Sequence, residues 1–212
     1  MKHAVTAGEY LSPEVFEKFQ KITGLTLREG YGQTETTLLL ANFTDSDSRE
    51  GSLGKPSPMY HIELLGKDGK PVPDGEIGEV CVVPKDGKRP LGVFCAYLDN
   101  EERYQEVWRG GVYHTGDAVW RDEDGYFWFH GRFDDIIKTG GFRVGPYEVE
   151  NVLMKHPAVA ECSVIGVPDK LRGQAIKAVI VLASGYEPSK QLDKEILEFC
   201  NWELAEYKWV RL

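Results

Sequence analysis

The chain has 212 residues, a formal net charge of -9, 42% hydrophobic and 28% charged residues, which is the balance of an ordinary soluble protein with length for one or two hydrophobic cores. The acidic balance, with no basic run to offset it, excludes a nucleic-acid surface, because phosphate binding needs a basic footprint. No apolar run approaches the ~20 residues of a membrane span, and no charged and apolar leader opens the chain. Cys81, Cys95, Cys162 and Cys200 lack the paired spacing of a zinc or redox site, which predicts buried, reduced thiols in a cytoplasmic protein rather than a disulfide framework.

In chain order, residues 2–8 form a β-leaning segment ending at Gly8, so a short strand and a turn are expected. Ser12 is placed to cap a helix, Pro13 suits its first position, and Val15, Phe16, Phe19 and Ile22 share one face before Gly24 stops it. Residues 25–28 follow as a second strand. Strand, helix and strand make one α/β unit of a larger sheet, with residues 29–35 as a loop at the strand's carboxyl end, where open α/β sheets bind ligands.

From residue 51 to 83 the pattern becomes hairpin-rich, with strands at 60–65 and 76–83 around a Lys-Asp-Gly-Lys turn at 67–70. Residues 91–97 read as an apolar strand and 100–107 as a short helix. Two further strands, 112–121 and 126–130, flank the acidic turn at 122–125. No fixed-period repeat appears. Beyond Arg132 a small α+β unit begins: a helix from Pro146 presenting Val149, Val152 and Leu153, strands at 159–167 and 175–182, and a last helix marked by Leu192, Ile196, Leu197 and Leu204. The simplest division lies near Asp134.

Residues 131–150 (Gly-Arg-Phe-Asp-Asp-Ile-Ile-Lys-Thr-Gly-Gly-Phe-Arg-Val-Gly-Pro-Tyr-Glu-Val-Glu) carry charges that fit neither a helical stripe nor a strand alternation. Such charges are usually solvated surface, whereas glycines among them mark tight backbone or close approach to a ligand. This run, with Gly-Tyr-Gly-Gln-Thr-Glu-Thr at 30–36, Gly-Glu-Ile-Gly-Glu-Val at 75–80 and Tyr-His-Thr-Gly-Asp at 113–117, resembles the signatures of the adenylate-forming enzymes: acyl-CoA synthetases, peptide-synthetase adenylation domains and luciferases. The run through His156-Pro157-Ala158-Val159 is most similar to medium-chain acyl-CoA synthetases.

The resemblance implies residues 1–133 as the C-terminal portion of a large AMP-binding domain, α/β plus a β-rich region, and 134–212 as a small mobile α+β domain, incomplete at its end. It implies an enzyme that joins a carboxylic acid to AMP from ATP, with Mg²⁺, and then transfers the acyl group to CoA. Thr34 matches a phosphate-binding residue and Glu35 the magnesium ligand, a role suited to a single carboxylate; from the residues alone, Thr34 and Glu35 could equally cap a helix. Asp117, aided by Arg132, matches the ribose-holding pair, although Gly-Asp is also a common turn. Gly8, Glu9, Glu29, Gly30 and Tyr31 match the adenine pocket, with Tyr31 equally a core aromatic.

Asp134 matches the hinge, Gly141 the glycine that lets the pantetheine arm of CoA pass, and Arg143 a catalytic, phosphate-contacting arginine. Lys138 is a candidate for phosphate or CoA. Gly32 stands where acetate-specific relatives place a tryptophan, which implies an acyl pocket open to a medium-chain or branched acid. The histidines, His114 included, are assigned no chemistry. Nothing resembles the family's Ser/Thr/Gly-rich phosphate loop or its late lysine, so the chain alone is expected to show little synthetase activity. Two other readings stand beside this one: activation of an amino or aryl acid for a carrier protein, and a non-catalytic nucleotide- or partner-binding module.

Overall fold

The computed structural model describes residues 2–8, 11 and 13–212, with the side chains of 13 and 14 left out. The expected cap at Ser12 and the expected adenine contact at Glu9 lie outside the described residues. The chain divides into two units, one ending at Phe129 and one beginning at His130.

The first unit contains two four-stranded sheets. One is built from β1 (Ala4–Ala7), β2 (Leu27–Gly32), β3 (Leu38–Ala41) and β4 (Lys55–Pro56), in that spatial order. β1 and β2 are parallel, with Ala4 opposite Leu27, and are joined through helix α1 (Pro13–Thr23), so the expected strand-helix-strand unit forms. Gly24 ends the helix at φ +70° and donates its N–H to Gln20 O at 2.8 Å. The expected apolar face is narrower than the sequence implied. Phe16 and Phe19 pack with Leu11 and Leu27, while Val15 and Ile22 are 52% and 82% exposed, because the helix covers less surface than its apolar stripe could.

β2 corrects a second expectation. Instead of a strand at 25–28 and a loop at 29–35, the strand begins at Leu27 and continues through Gly32. The glycines that suggested a loop allow two strands to approach: a Cβ on Gly30 would meet Leu38 Cδ1 at 2.6 Å, and one on Gly32 would meet Thr37 O at 2.4 Å.

The second sheet contains β5 (His61–Leu65), β6 (Ile77–Val83), β7 (Tyr113–Arg121) and β8 (Phe127–Arg132), again in that order, with the last three residues of β8 lying past the end of the first unit. Leu39 and Leu40 of β3 pack with Leu64, Val80, Val82, Val119 and Phe127 of this sheet in one core. Helix α2 (Glu101–Val107) starts where Asn100 Oδ1 accepts the Arg103 N–H at 3.0 Å. Asp122 Oδ1 ties the acidic hairpin turn by accepting the Asp124 and Tyr126 N–H groups. Residues 91–97 do not form the expected strand. They make one bridge, Thr36 to Val93, because Gly92 takes φ +82° beneath Tyr60 and Thr37, where an added Cβ would sit 2.4 Å from the Tyr60 hydroxyl. Cys95 in this stretch is exposed and Cys162 is half-buried, so only Cys81 and Cys200 are the buried thiols expected; all four are free.

The second unit contains β9 (Ile137–Thr139), β10 (Phe142–Val144), helix α3 (Pro146–Leu153), β11 (Val159–Asp169), β12 (Gly173–Leu182) and helix α4 (Lys190–Glu203). Its antiparallel sheet runs β10-β9-β12-β11. Pro146 opens α3, whose Val149, Val152 and Leu153 join Ile137, Ile176, Ile196 and Cys200 in a separate core.

Gly54 gives a direct test of the first unit. Its φ is +87°, and a Cβ there would fall 2.0 Å from the Ala41 carbonyl carbon and 2.3 Å from Asn42 N. Gly54→Ala should therefore destabilise the unit by about 3 kcal/mol or more, read as a lower urea midpoint; an unchanged midpoint would refute this close backbone approach.

Candidate active site

β6 and β7 pair regularly except at one place. Glu79 stands opposite Ala118 and Cys81 opposite His114, so Thr115, Gly116 and Asp117 share Val80 as their counterpart. The surplus residues form a bulge, a device that re-aims side chains. Thr115 Oγ1 donates to Val80 O at 2.8 Å and accepts the Asp117 N–H at 3.1 Å, while Gly116 turns through φ +79°.

The bulge aims Asp117 at the end of β2. Its buried carboxylate accepts from Gln33 Nε2 at 2.7 Å and from the Tyr31 hydroxyl, both on Oδ2. Gln33 Nε2 also donates to Thr115 O at 2.9 Å, and Gln33 Oε1 accepts the Tyr113 hydroxyl at 2.9 Å. Burial, then the neighbouring Asp117 charge, hold the Tyr31 hydroxyl well above the usual phenol range. Burial, then the charges of Glu35 and Asp117 among others, raise Tyr113 likewise. Both phenols therefore stay protonated donors. A carboxylate fixed in this way is an acceptor suited to paired hydroxyls. Gln33 and Tyr113 were assigned no role from the sequence; the only signal was their position within the two motifs.

Between β2 and β3 the chain makes a turn instead of starting a helix. Thr36 N–H donates to Gln33 O at 3.0 Å, and Gln33 N–H donates to Thr36 Oγ1 at 2.9 Å. The helix-cap reading of Thr34 and Glu35 thus gives way to an exposed turn residue, Thr34, and a half-buried carboxylate, Glu35, followed by a strand. Glu35 Oε1 accepts the Tyr97 hydroxyl at 2.7 Å. Burial and then that carboxylate push Tyr97 up to about 12. One oriented carboxylate beside a threonine is a hard-oxygen donor set that fits Mg²⁺ shared with phosphate oxygens.

Gly8 takes φ +102° directly after β1. Gly30 is buried within β2. Glu29 is also buried, and its Oε1 accepts the Leu11 N–H at 3.4 Å. Desolvation, partly offset by that bond, raises its carboxyl to about 7.

His114, assigned no chemistry from the sequence, has two polar neighbours. Its Nδ1 lies 2.8 Å from Glu79 Oε2 and 3.4 Å from Cys81 Sγ. Glu79 also takes Arg109 Nη2 at 2.8 Å and the Gly116 N–H at 2.9 Å. Although the Glu79, Cys81 and His114 donor atoms lie within 4.8 Å of one another, Arg109 occupies the carboxylate and burial pushes the Cys81 thiol up. This is a satisfied polar cluster and not a cation site.

In the second unit, Arg132 grips Asp134 with two bonds of 2.9 Å, from Nε and Nη2. Gly140 and Gly141, at φ +57° and +85°, form the two-residue turn between β9 and β10. Lys138 and Arg143 stand directly opposite each other in that hairpin, both exposed; like charges so placed repel each other and favour an anion between them. Beside the turn, a cavity of about 360 Å³ is lined by Thr139, Gly140, Phe142, Arg172, Tyr207 and Arg211 together with Glu206 and Trp209. Phe142 and Tyr207 stack with centroids 4.6 Å apart. Arg172, Tyr207 and Arg211 were not singled out from the sequence, because strand pairing brings them beside the glycine turn from far along the chain.

Comparison with known proteins gives a consistent picture. The AMP-binding enzyme family model matches residues 1–85, and the AMP-binding enzyme C-terminal domain model matches residues 148–211. Acyl-coenzyme A synthetase ACSM3, mitochondrial, from Rattus norvegicus is 46% identical, covering 100% of this chain and 37% of the relative. 4-hydroxybutyrate--CoA ligase 1 from Metallosphaera sedula is 48% identical over the same shares, 100% and 37%. The chain thus spans little more than a third of the length of these curated relatives.

Among solved structures, the anthranilate CoA ligase AuaEII in complex with anthranoyl-AMP aligns with TM-score 0.84 and 37% identity over 100% of this chain and 40% of that one. A benzoate CoA ligase from Burkholderia xenovorans LB400 aligns with TM-score 0.82 and 33% identity over 100% and 41%. With both domain models matched in order and the motif residues folded as described, the chain belongs to the AMP-binding, or adenylate-forming, enzyme family.

Proposed function

We propose that the chain supplies part of the active site of an ATP-dependent acyl-CoA synthetase that activates a medium-chain or branched fatty acid. The observation that carries this reading is the convergence of two motifs far apart in sequence, residues 30–36 and 113–117, on the buried Asp117 carboxylate. In the first half-reaction the acid's carboxylate oxygen attacks the α-phosphorus of ATP and pyrophosphate leaves. In the second, the CoA thiol attacks the acyl carbonyl, loses its proton, and AMP leaves.

Asp117 accepts the ribose hydroxyls, with Tyr31 and Gln33 holding its carboxylate, and Arg132 assists. Gly8, Glu29, Gly30 and Tyr31 line the adenine side. Thr34 binds a phosphate oxygen. Glu35, oriented by Tyr97, would ligate Mg²⁺, which when bound neutralises phosphate charge as it develops. Lys138 and Arg143 attract phosphate. CoA passes the Gly140-Gly141 turn, and the Arg172 and Arg211 cavity suits its phosphate groups. Asp134 is the hinge between a domain of residues 1–133 and one of 134–212, and its carboxylate is held locally by Arg132.

The names of the curated relatives favour CoA over a carrier protein as acceptor. Anthranilate and benzoate ligases among the structural relatives keep aryl acids as the second reading. No helix among the described residues is long and apolar enough to cross a membrane. Free thiols fit a reducing compartment, the cytoplasm or, as in the name of the rat relative, mitochondria.

The test uses a full-length enzyme in which these residues replace the matching segment of the rat relative. Carboxylate-dependent ATP–pyrophosphate exchange should peak with medium-chain acids, and exchange with amino or aryl acids alone would favour the second reading. Asp117→Asn should raise the KM for ATP by roughly tenfold or more, the size of a lost charge-assisted hydrogen bond. An unchanged value would remove Asp117 from the nucleotide site. Gly32→Trp should shift the ratio of rates toward shorter acids. Because Thr37 O already occupies the Cβ position of residue 32, a fall in all rates at a constant ratio would mean that the glycine serves backbone packing alone.

A further inference from the structure

The bulge that aims Asp117 is held by a side chain from the neighbouring strand. Three residues of β7 face one of β6, so the Gly116 N–H has no regular ladder partner; it donates to Glu79 Oε1 at 2.9 Å. The other oxygen of the same carboxylate is fixed from two sides, by His114 Nδ1 at 2.8 Å and Arg109 Nη2 at 2.8 Å. Glu79 and His114 have side chains only 12% exposed. Burial opposes the charge on Glu79, but His114, Arg109 and Gly116 together outweigh it and hold the carboxyl below its usual range. Glu79 is thus a fixed anion whose orientation is set by two cationic or polar donors and passed to one backbone amide. That amide belongs to the residue immediately before Asp117.

We infer that Glu79 is the positioning residue of the nucleotide site: it holds the Thr115-Gly116-Asp117 bulge in the one conformation that presents the Asp117 carboxylate to ribose hydroxyls. Thr115 Oγ1 fixes the bulge from within, to Val80 O and Asp117 N–H. Glu79 fixes it from outside and anchors it to Arg109, just beyond α2. Glu79 itself touches no substrate. This inference rests on the reading of Asp117 as a nucleotide-binding residue, and its test separates the two.

In the full-length enzyme described above, Glu79→Gln, Glu79→Ala and Asp117→Asn are compared by the KM values for ATP and for CoA, by calorimetric affinity for AMP, and by urea midpoint. Glu79→Ala should weaken ATP and AMP by roughly tenfold, and Glu79→Gln, which keeps the shape and an acceptor oxygen but loses the charge, by about threefold. The KM for CoA should stay unchanged for both. The inference is overturned if Asp117→Asn weakens nucleotide binding and neither Glu79 variant does. It is equally overturned if the Glu79 variants raise the KM values for ATP and CoA together as the midpoint falls, the pattern of a merely structural role. If Asp117→Asn leaves AMP affinity unchanged, the nucleotide reading itself fails, and the inference with it. Should Glu79→Ala fail to fold, the isosteric Glu79→Gln decides the matter alone.

Discussion

A carboxylate removed from water must be satisfied where it sits, and in this chain that constraint falls on Asp117. An uncompensated buried charge is costly enough that the group would otherwise neutralise. Two of the groups that reach it are neutral donors, Tyr31 near the end of β2 and Gln33 just beyond it. These two donors orient the carboxylate without cancelling its charge. Burial, and then Asp117 beside it, raises the Tyr31 phenol well above its ordinary range, which keeps the donor protonated.

This requirement explains features that otherwise look unrelated. β2 has to run on to Gly32 so that Tyr31 and Gln33 reach Asp117. Running on requires glycines at 30 and 32, where Leu38 and Thr37 approach too closely for a side chain. β7 has to bulge so that Asp117 leaves the plain alternation of its strand, and the bulge frees an amide that Glu79 accepts. Fold and candidate site are therefore one set of constraints within the first unit.

Much of this was legible in the sequence where the signal is local. The strands β5, β6, β7 and β8, the acidic turn at 122–125, the short helix after Asn100 and the Pro146 helix start all depend on neighbours within a few residues, and all form where expected. Failures came where a local signal has two physical causes. Glycine marks both loops and close strand approach, and residues 29–32 took the second meaning. Residues 91–97 are apolar like a strand, but the positive φ of Gly92 breaks the run, and only Val93 pairs. Asp117 and Glu35 were legible through their motifs. Their supports were not, since Tyr97 lies 62 residues from Glu35, and Glu79 lies 37 from Gly116.

The second unit meets a related constraint by different means. Lys138 and Arg143 face each other across a hairpin whose Gly140-Gly141 turn fixes the register, so two repelling cations are kept together by backbone geometry. Such an arrangement is unfavourable by itself and becomes favourable when an anion bridges it. At the start of α3 the situation is reversed. Glu148 sits half-buried between His130 and Lys208, and although burial opposes its charge, these two partners bring its carboxyl down to about 2. An anion in the first turn also complements the helix dipole. Where the protein needs a fixed helix, it has matched its charges; where the loop meets solvent beside two arginines and a cavity, it has left like charges together. On the reading proposed above, that contrast separates an element built for structure from one that binds a phosphate ligand.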